Sequence, residues 1–205
     1  MPAPTEPLQS EYFVGFDPVT RDTHGWAVME VNGDDVIRIS SGVAGNPSSA
    51  LHEVMEHLPY PPKAVGVNSP LYWGADGDRK VDLSIRRRVI AMGGQPDIVP
   101  SDNSQLGAVL VHGVIVAQLA TRSWALSKVT EVNPKALLLL YPQANQFLYQ
   151  QFSDPSKVRD RDAVVSAFAA WQGAIRQLDW RDLARMDRQA FMPVSTDIAY
   201  WFPLV

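Results

Sequence analysis

The sequence of 205 residues contains no cysteine, which excludes disulfide bonds, thiolate zinc sites and cysteine nucleophiles. It also lacks a long hydrophobic run: the longest apolar stretch, residues 106–120, includes His112 and is too short to span a bilayer. No glycine-rich phosphate loop is present, and the four histidines lack the spacing of a metal-binding motif. We therefore expect no membrane contact, and any catalysis must depend on oxygen and nitrogen side chains.

An excess of basic charge is missing as well. The 18 basic and 22 acidic residues give a formal net charge of −4, so nucleic acid could bind only at a local basic surface or through a metal ion. The N-terminus, MPAPTEPLQS, is rich in proline and has neither the basic nor the apolar part of a signal peptide. We expect a disordered tail over residues 1–10 and a single cytoplasmic domain over residues 11–205.

The order of the predicted elements indicates an α/β fold. Three aromatic or β-branched runs, YFVGFD, WAVMEV and VIRIS, are joined by polar turns and predict an antiparallel meander. AVGV and KVTEV predict two more strands, which alternate with helices as parallel strands do. Helices are predicted from residue 46 and over residues 79–92, 103–122, 134–150 and 163–178. This order resembles the RNase H-like fold, a mixed five-stranded sheet of three antiparallel and then parallel strands, flanked by helices.

Acidic residues fall where an enzyme of that fold would need them. Such enzymes hold two divalent ions about 4 Å apart between three or four converging carboxylates. Asp17 ends the first strand, Glu131 lies at the end of the fifth, and Asp162 precedes an alanine-rich helix. Each also has an ordinary structural explanation, as a turn residue before Pro18, a solvated strand end and a helix cap.

Short motifs in chain order resemble a bacterial and archaeal family of predicted RNase H-like nucleases, number four hundred and twenty-nine in the domain-of-unknown-function series. The similarity extends over residues 13–171. The matching residues are Asp17, Gly25-Trp26, Asn68-Ser69-Pro70-Leu71, Arg79, Asp82, Arg86, Arg87, Glu131, Pro134, Ala136, Asp162-Ala163 and Ala167-Phe168-Ala169-Ala170. The chain departs from the family in two places: a longer loop beginning with Pro18 follows Asp17, and Asn68 replaces an aspartate.

The resemblance implies a divalent-metal-dependent nuclease. Mg²⁺ or Mn²⁺ would be bound by the catalytic residues Asp17, Asn68, Glu131 and Asp162, with Asn68 acting through its side-chain oxygen. Because one carboxylate is missing, the sequence also predicts a one-ion site or a slower enzyme. The alternative is a non-catalytic module of the same fold that binds nucleic acid or a protein partner. A nucleotide- or sugar-phosphate-binding protein related to actin and the sugar kinases is disfavoured, because those proteins need two such domains.

Two aspartates compete for the place at the start of the last helix. Asp160 and Asp162 cannot both face the site if both belong to the helix, because two residues span about 200°. The apolar stripe of the helix favours Asp160, whereas the resemblance favours Asp162. We prefer Asp162 and keep Asp160 as the alternative.

A basic segment, RKVDLSIRRR, provides the candidate substrate-binding surface. The residues proposed for it are Arg79, Asp82, Arg86 and Arg87, together with Tyr72 and Trp73 in the preceding loop. The arginines could contact phosphates, or they could form a solvated helix face with Asp82 paired internally. The two aromatic rings could stack on a base or sugar, or they could cover the end of the sheet. The oligomeric state is not indicated, and the apolar C-terminal YWFPLV could pack on its own domain or on a neighbour.

Overall fold

The computed structural model of the protein describes residues 10–18, 23–74, 79–99, 107–152, 158–175, 179–187, 189–191 and 197–204. The predicted N-terminal tail, apart from Ser10, lies outside the described residues. The described strands are β1 (Glu11–Asp17), β2 (His24–Asn32), β3 (Asp35–Ala44), β4 (Ala64–Val67), β5 (Trp73–Gly74), β6 (Lys128–Glu131), β7 (Trp180–Asp182), β8 (Gln189–Phe191), β9 (Ile198–Ala199) and β10 (Trp201–Pro203). The described helices are α1 (Pro47–Glu56), α2 (Lys80–Ala91), α3 (Gly107–Ser123), α4 (Pro134–Leu140), α5 (Pro142–Gln151) and α6 (Val158–Ile175).

The main sheet has six strands in the order β3-β2-β1-β4-β6-β9. The strands β1, β2 and β3 are antiparallel, whereas β1, β4, β6 and β9 run parallel to one another. The predicted α/β class, with three antiparallel strands followed by parallel ones, is therefore confirmed. The predicted number of five strands is wrong, because β9 adds a sixth at the edge. Its two residues are too few to show the alternation from which a strand is predicted.

The parallel strands bring three predicted site residues to one edge of the sheet. Phe16 is in register with Val67, and Val67 is in register with Glu131. The backbone N–H of Asn68 continues the pairing by donating to the carbonyl of Phe16 at 2.9 Å. Carboxyl ends of neighbouring parallel strands are where open α/β sheets bind their ligands. Asp17, Asn68 and Glu131 all lie at that edge.

Glycines allow α6 to lie directly on the centre of the sheet. A Cβ atom at Gly15 would overlap the carbonyl oxygen of Ala163, and one at Gly66 would overlap that of Ser166. Since each strand must come this close to the helix backbone, no larger residue fits at either position. The close approach places the first turns of α6, including Asp162, beside the ends of β1 and β4.

Three helix boundaries differ from the predicted ones. The single helix predicted over residues 134–150 is divided into α4 and α5 at Tyr141, which has an extended backbone (φ −128°, ψ 93°). The cause is Pro142, which disfavours a helical conformation in the residue before it. Helix α6 begins at Val158, earlier than predicted, so Asp160 and Asp162 are both helical. The start of the helix predicted over residues 103–122 lies outside the described residues, which show α3 from Gly107.

The C-terminal aromatic residues pack on the chain itself. Tyr200, Trp201 and Phe202 are all buried, and β10 pairs with β7. The ring of Trp201 lies against Gly173 of α6, where a Cβ atom would collide with it. Of the two alternatives for YWFPLV, the structure therefore shows packing within the chain. None of the described helices is both long enough and apolar enough to cross a bilayer.

Candidate functional site

A pocket of about 390 Å³ opens at the carboxyl ends of β1, β4 and β6. Its walls include all four residues predicted to be catalytic, namely Asp17, Asn68, Glu131 and Asp162. These residues come from three strand ends and one helix and are separated by up to 145 positions in the sequence. The structure thus brings the predicted set together in one concave site.

The two competing aspartates of α6 face different parts of the molecule. Asp162 is buried, lines the pocket, and forms an ion pair with Arg161, whose Nη2 lies 2.8 Å from its Oδ1. Asp160 accepts a hydrogen bond from Ser41 Oγ of β3 at 3.3 Å and is not part of the pocket wall. The structure therefore places Asp162, and not Asp160, at the site.

Asn68 contacts the acid at the end of the neighbouring strand. Its Nδ2 donates to Oδ1 of Asp17 at 2.7 Å. The exposed fraction of Asp17 is only 3%, so this hydrogen bond forms largely out of water. A second carboxylate at position 68 would place two negative charges in contact, whereas the amide supplies a donor that orients Asp17.

Glu131 is engaged by a buried arginine. Arg79 donates from Nη2 to Oε1 at 2.7 Å and from Nη1 to Oε2 at 2.8 Å, a bidentate arrangement. The backbone N–H of Leu71 donates to the same Oε2 at 2.9 Å. Arg79 also contacts Asp82, from Nε at 2.7 Å and from Nη2 at 2.8 Å. The guanidinium therefore lies between two carboxylates.

These contacts decide the charge of Glu131. Burial raises the pKa of its carboxyl group, and the charge and hydrogen bonds of Arg79 oppose that rise. Burial likewise lowers the pKa of Arg79, but Glu131 and Asp82 outweigh it and hold this pKa well above its usual value. Both oxygens of Glu131 accept hydrogen bonds from donors, and a neutral carboxyl group would lose one of them. The contacts of Arg79 therefore favour the ionised form against the effect of burial.

Carboxylates predominate among the buried charged groups at the pocket. Asp17, Asp82, Glu131 and Asp162 are buried there; Arg79 pairs with Asp82 and Glu131, and Arg161 pairs with Asp162. On the exposed rim, Asp97 and Lys135 add one charge of each sign.

The oxygen ligands of the pocket suit a hard cation. Asp17 and Asp162 offer carboxylates and Asn68 offers an amide oxygen, which are ligand types that Mg²⁺ and Mn²⁺ accept. Within the described ranges, no three histidine, aspartate or glutamate side chains are grouped as a ready-made metal site. Mg²⁺ commonly binds through one or two carboxylates and keeps several waters. The side chains therefore fit a partly hydrated cation.

The predicted stacking role of Tyr72 is not what the structure shows. Its ring is fully buried, and its hydroxyl donates to Oδ2 of Asp187 at 3.1 Å. Asp187 also accepts from the backbone N–H groups of Lys80 and Val81, and it thereby caps the start of α2. The buried ring of Tyr72 has no free face on which a base or sugar could stack. The side chain of Trp73 lies outside the described residues.

The arginines of the basic segment do not form one surface. Arg79 is buried in the ion-pair cluster, and Arg86 donates from Nε to the carbonyl of Val99 at 3.2 Å. Arg87 is exposed. The internal pairing of Asp82 is present, but its partner is the buried Arg79 and not a solvated face. Of these three arginines, Arg87 alone is exposed, and it is not part of the pocket wall.

Sequence reasoning missed several polar residues of the pocket wall, among them Asn133 and Lys135. Asn133 caps α4 by accepting from the N–H of Ala136 at 3.0 Å, and its Nδ2 donates to the carbonyl of Ile98. Lys135 is exposed at the rim. The only signal for either was its position, two or four residues after Glu131. Such proximity in sequence does not show which side chains of a helix start face a pocket.

Comparisons of the chain with family models, with curated proteins and with solved structures find no match. Membership of the predicted nuclease family therefore stays a prediction from short motifs.

Proposed function

We propose that the protein is a divalent-metal-dependent phosphodiester hydrolase of the RNase H-like type, acting as a nuclease. The observation that carries this proposal is the convergence of Asp17, Asn68 and Asp162 on one pocket at the ends of parallel strands. Asp17 and Asp162 would hold Mg²⁺ or Mn²⁺, with the side-chain oxygen of Asn68 as a neutral ligand. The order of the elements supports the RNase H-like assignment.

The side chains of the pocket have different roles in binding. Asp17 and Asp162 supply negative charge, and Asn68 holds the carboxylate of Asp17 in place through its 2.7 Å hydrogen bond. When bound, a divalent cation activates water and stabilises the leaving oxygen in reactions of this class. Lys135 is placed at the rim, where its ammonium group can attract a phosphate.

The charge of the pocket makes substrate binding depend on the cation. Carboxylates lining the pocket repel a phosphodiester, which is itself an anion. Neutralising them removes the repulsion, so we expect nucleic acid to bind at this pocket only when Mg²⁺ or Mn²⁺ is present. Chelation should then abolish both binding at the pocket and cleavage.

The test combines Mn²⁺ titration with a cleavage assay on the full chain. Single-stranded, duplex and RNA–DNA hybrid substrates are compared for the wild type, Asp17→Asn, Asp162→Asn and Asp160→Asn. We expect Asp17→Asn and Asp162→Asn to lose Mn²⁺ uptake and cleavage. Asp160→Asn is the matched control on the same helix and should keep both. Cleavage that survives in Asp17→Asn would show that the activity lies elsewhere or comes from a contaminant.

A non-catalytic binding module is the second candidate, and a specific observation favours it. Asn68 already satisfies Asp17, and Arg79 already satisfies Glu131, so the pocket has fewer acids available than a two-ion enzyme needs. If the wild type neither takes up Mn²⁺ nor cleaves, while Asn68→Asp gains Mn²⁺ binding, the enzyme proposal fails. Binding of labelled single-stranded DNA to the wild type, weakened by salt, would then support the module.

A further inference from the structure

We infer that Arg79 is a built-in cation of this pocket and that Glu131 is a positioning residue, so that the site takes one divalent cation and not two. The number of cations rests on the proposed function. The role of Glu131 rests on its own contacts and can be tested without metal.

The register of the sheet separates Glu131 from the other acids. Gly15 and Gly66 are a register pair and both lie beneath α6. Side chains alternate between the two faces of a strand. Asp17 and Asn68 each come two residues after one of these glycines, so they belong to the face covered by α6. Val67 lies between Gly66 and Asn68, so its side chain points to the other face of the sheet, and Glu131 is in register with Val67. Its side chain therefore leaves the sheet on the face opposite to α6.

On that face the carboxylate of Glu131 is held by three N–H donors. Two N–H groups of Arg79 and the backbone N–H of Leu71 donate to its two oxygens, all within 2.9 Å. The exposed fraction of Glu131 is 3%. A metal ion that bound both oxygens would have to displace the guanidinium, which is itself held by Asp82.

Arg79 is fixed from every side. Beyond the two carboxylates, its Nη1 donates to the carbonyl of Tyr72 at 3.1 Å, and its guanidinium carbon lies 4.6 Å from the centre of the Tyr72 ring. A permanently charged group is thus held between Glu131 and Asp82, as a cation would be. Unlike a metal ion, it cannot dissociate or be exchanged.

Glu131 acts on the pocket through the loop after β4. It accepts from the N–H of Leu71, and its partner Arg79 donates to the carbonyl of Tyr72, so two consecutive residues of the loop are anchored through their backbone. The same short loop begins with Asn68, which contacts Asp17. Glu131 thereby positions Asn68 without facing the cation itself.

The experiment counts bound Mn²⁺ by the loss of the free-ion signal in electron paramagnetic resonance. We expect one Mn²⁺ in the wild type and one in Arg79→Lys, which keeps a cation between the carboxylates. Arg79→Met releases Glu131 and Asp82 and should take up two. Glu131→Leu should still bind one Mn²⁺, about tenfold more weakly, as when support behind a metal ligand is removed. Asp17→Asn should bind none.

Hydrogen exchange of the Leu71 amide tests the positioning role without metal. We expect protection to be lost in Glu131→Leu and partly restored in Glu131→Gln, which keeps one acceptor oxygen. Asp162→Asn is the control and should leave this amide protected. Circular dichroism confirms in each case that the variant is folded.

Two results would overturn the inference. The first is two Mn²⁺ ions in the wild type, or complete loss of Mn²⁺ uptake in a folded Glu131→Leu variant. The second is unchanged protection of the Leu71 amide in that variant. Absence of Mn²⁺ uptake by the wild type would refute the proposed function and the one-cation site together, and the Leu71 amide would then decide the role of Glu131 alone. If the Glu131 variants do not fold, the number of Mn²⁺ ions bound by the wild type and by Arg79→Lys decides between one cation and two.

Discussion

Replacing Asn68 by aspartate should convert a neutral contact into a repulsive one. In the wild type, Nδ2 of Asn68 donates to Oδ1 of Asp17 at 2.7 Å. In Asn68→Asp, two carboxylates would meet at that distance in a pocket already lined by other carboxylates. With no cation present, one of them must take up a proton or the loop after β4 must move.

The distance between the two groups sets the energy of repulsion between the carboxylates. Two unit charges 2.7 Å apart repel by about 6 kcal/mol at an effective dielectric constant of roughly 20. Protonating one aspartate at pH 7 costs less, about 4 kcal/mol, since its usual pKa is near 3.9. The protonated acid then donates to its neighbour as the amide did. We therefore expect the variant to be about 4 kcal/mol less stable than the wild type at pH 7 and about 1.5 kcal/mol less stable at pH 5.

The assay is urea unfolding of both proteins at the two pH values, with and without Mn²⁺. The raised pKa of the acid pair means that the stability lost in Asn68→Asp is regained as the pH falls. Mn²⁺ at a hundred times its dissociation constant should restore about 2.7 kcal/mol. Asn46→Asp is the matched control, because Asn46 is an exposed cap of α1 and aspartate caps equally well. Equal stability of Asn68→Asp and wild type at pH 7 without metal would refute the contact with Asp17, and indifference of both proteins to Mn²⁺ would refute the cation site.

Three further predictions concern the scaffold that holds the site. Gly66→Ala should destabilise the protein by about 3 kcal/mol because its methyl group would meet the backbone of α6, whereas Gly45→Ala, with open space around it, should change urea unfolding little. Asp187→Ala removes the cap of α2 and should cost about 1 to 2 kcal/mol in the same measurement. Burial raises the pKa of Tyr72 and Tyr200 above the usual 10.0, so the unfolded chain loses these protons first and stability should fall as the pH rises above 10. Tyr200→Phe should reduce that slope by about 1.4 kcal/mol per pH unit, and an unchanged slope would contradict the burial of its hydroxyl group.

The order of strands and helices was predictable because it depends on local patterns. Alternating apolar residues in YFVGFD and WAVMEV predict strands, and polar turns between them predict antiparallel pairing. The position of Asp17 at a strand end follows from the same pattern. A two-residue strand such as β9 shows no pattern of this kind, and its pairing with β6 depends on the core around Tyr200.

The choice between Asp160 and Asp162 shows where periodicity fails. The apolar stripe favoured Asp160, but α6 is buried on nearly every side, as alanines 163, 167, 169 and 170 are all 0% exposed. A helix that is buried all round has no single apolar face from which to read a direction. The motif resemblance favoured Asp162, which the structure places at the pocket.

Most strands and helices, the strand ends at which the acids lie, and the amide at position 68 could be read from the sequence, since these depend on neighbouring residues. The partners of those acids depend on how the elements pack together. Arg79 and Glu131 are 52 positions apart, and an arginine in a basic segment has no sequence feature that distinguishes a buried ion pair from a solvated charge. The register that turns Glu131 away from Asp17 arises from the pairing of β4 with β6, which no local pattern encodes. The sequence predicts four candidate ligands at one edge of the sheet, and the fold pairs one of them, Glu131, with Arg79.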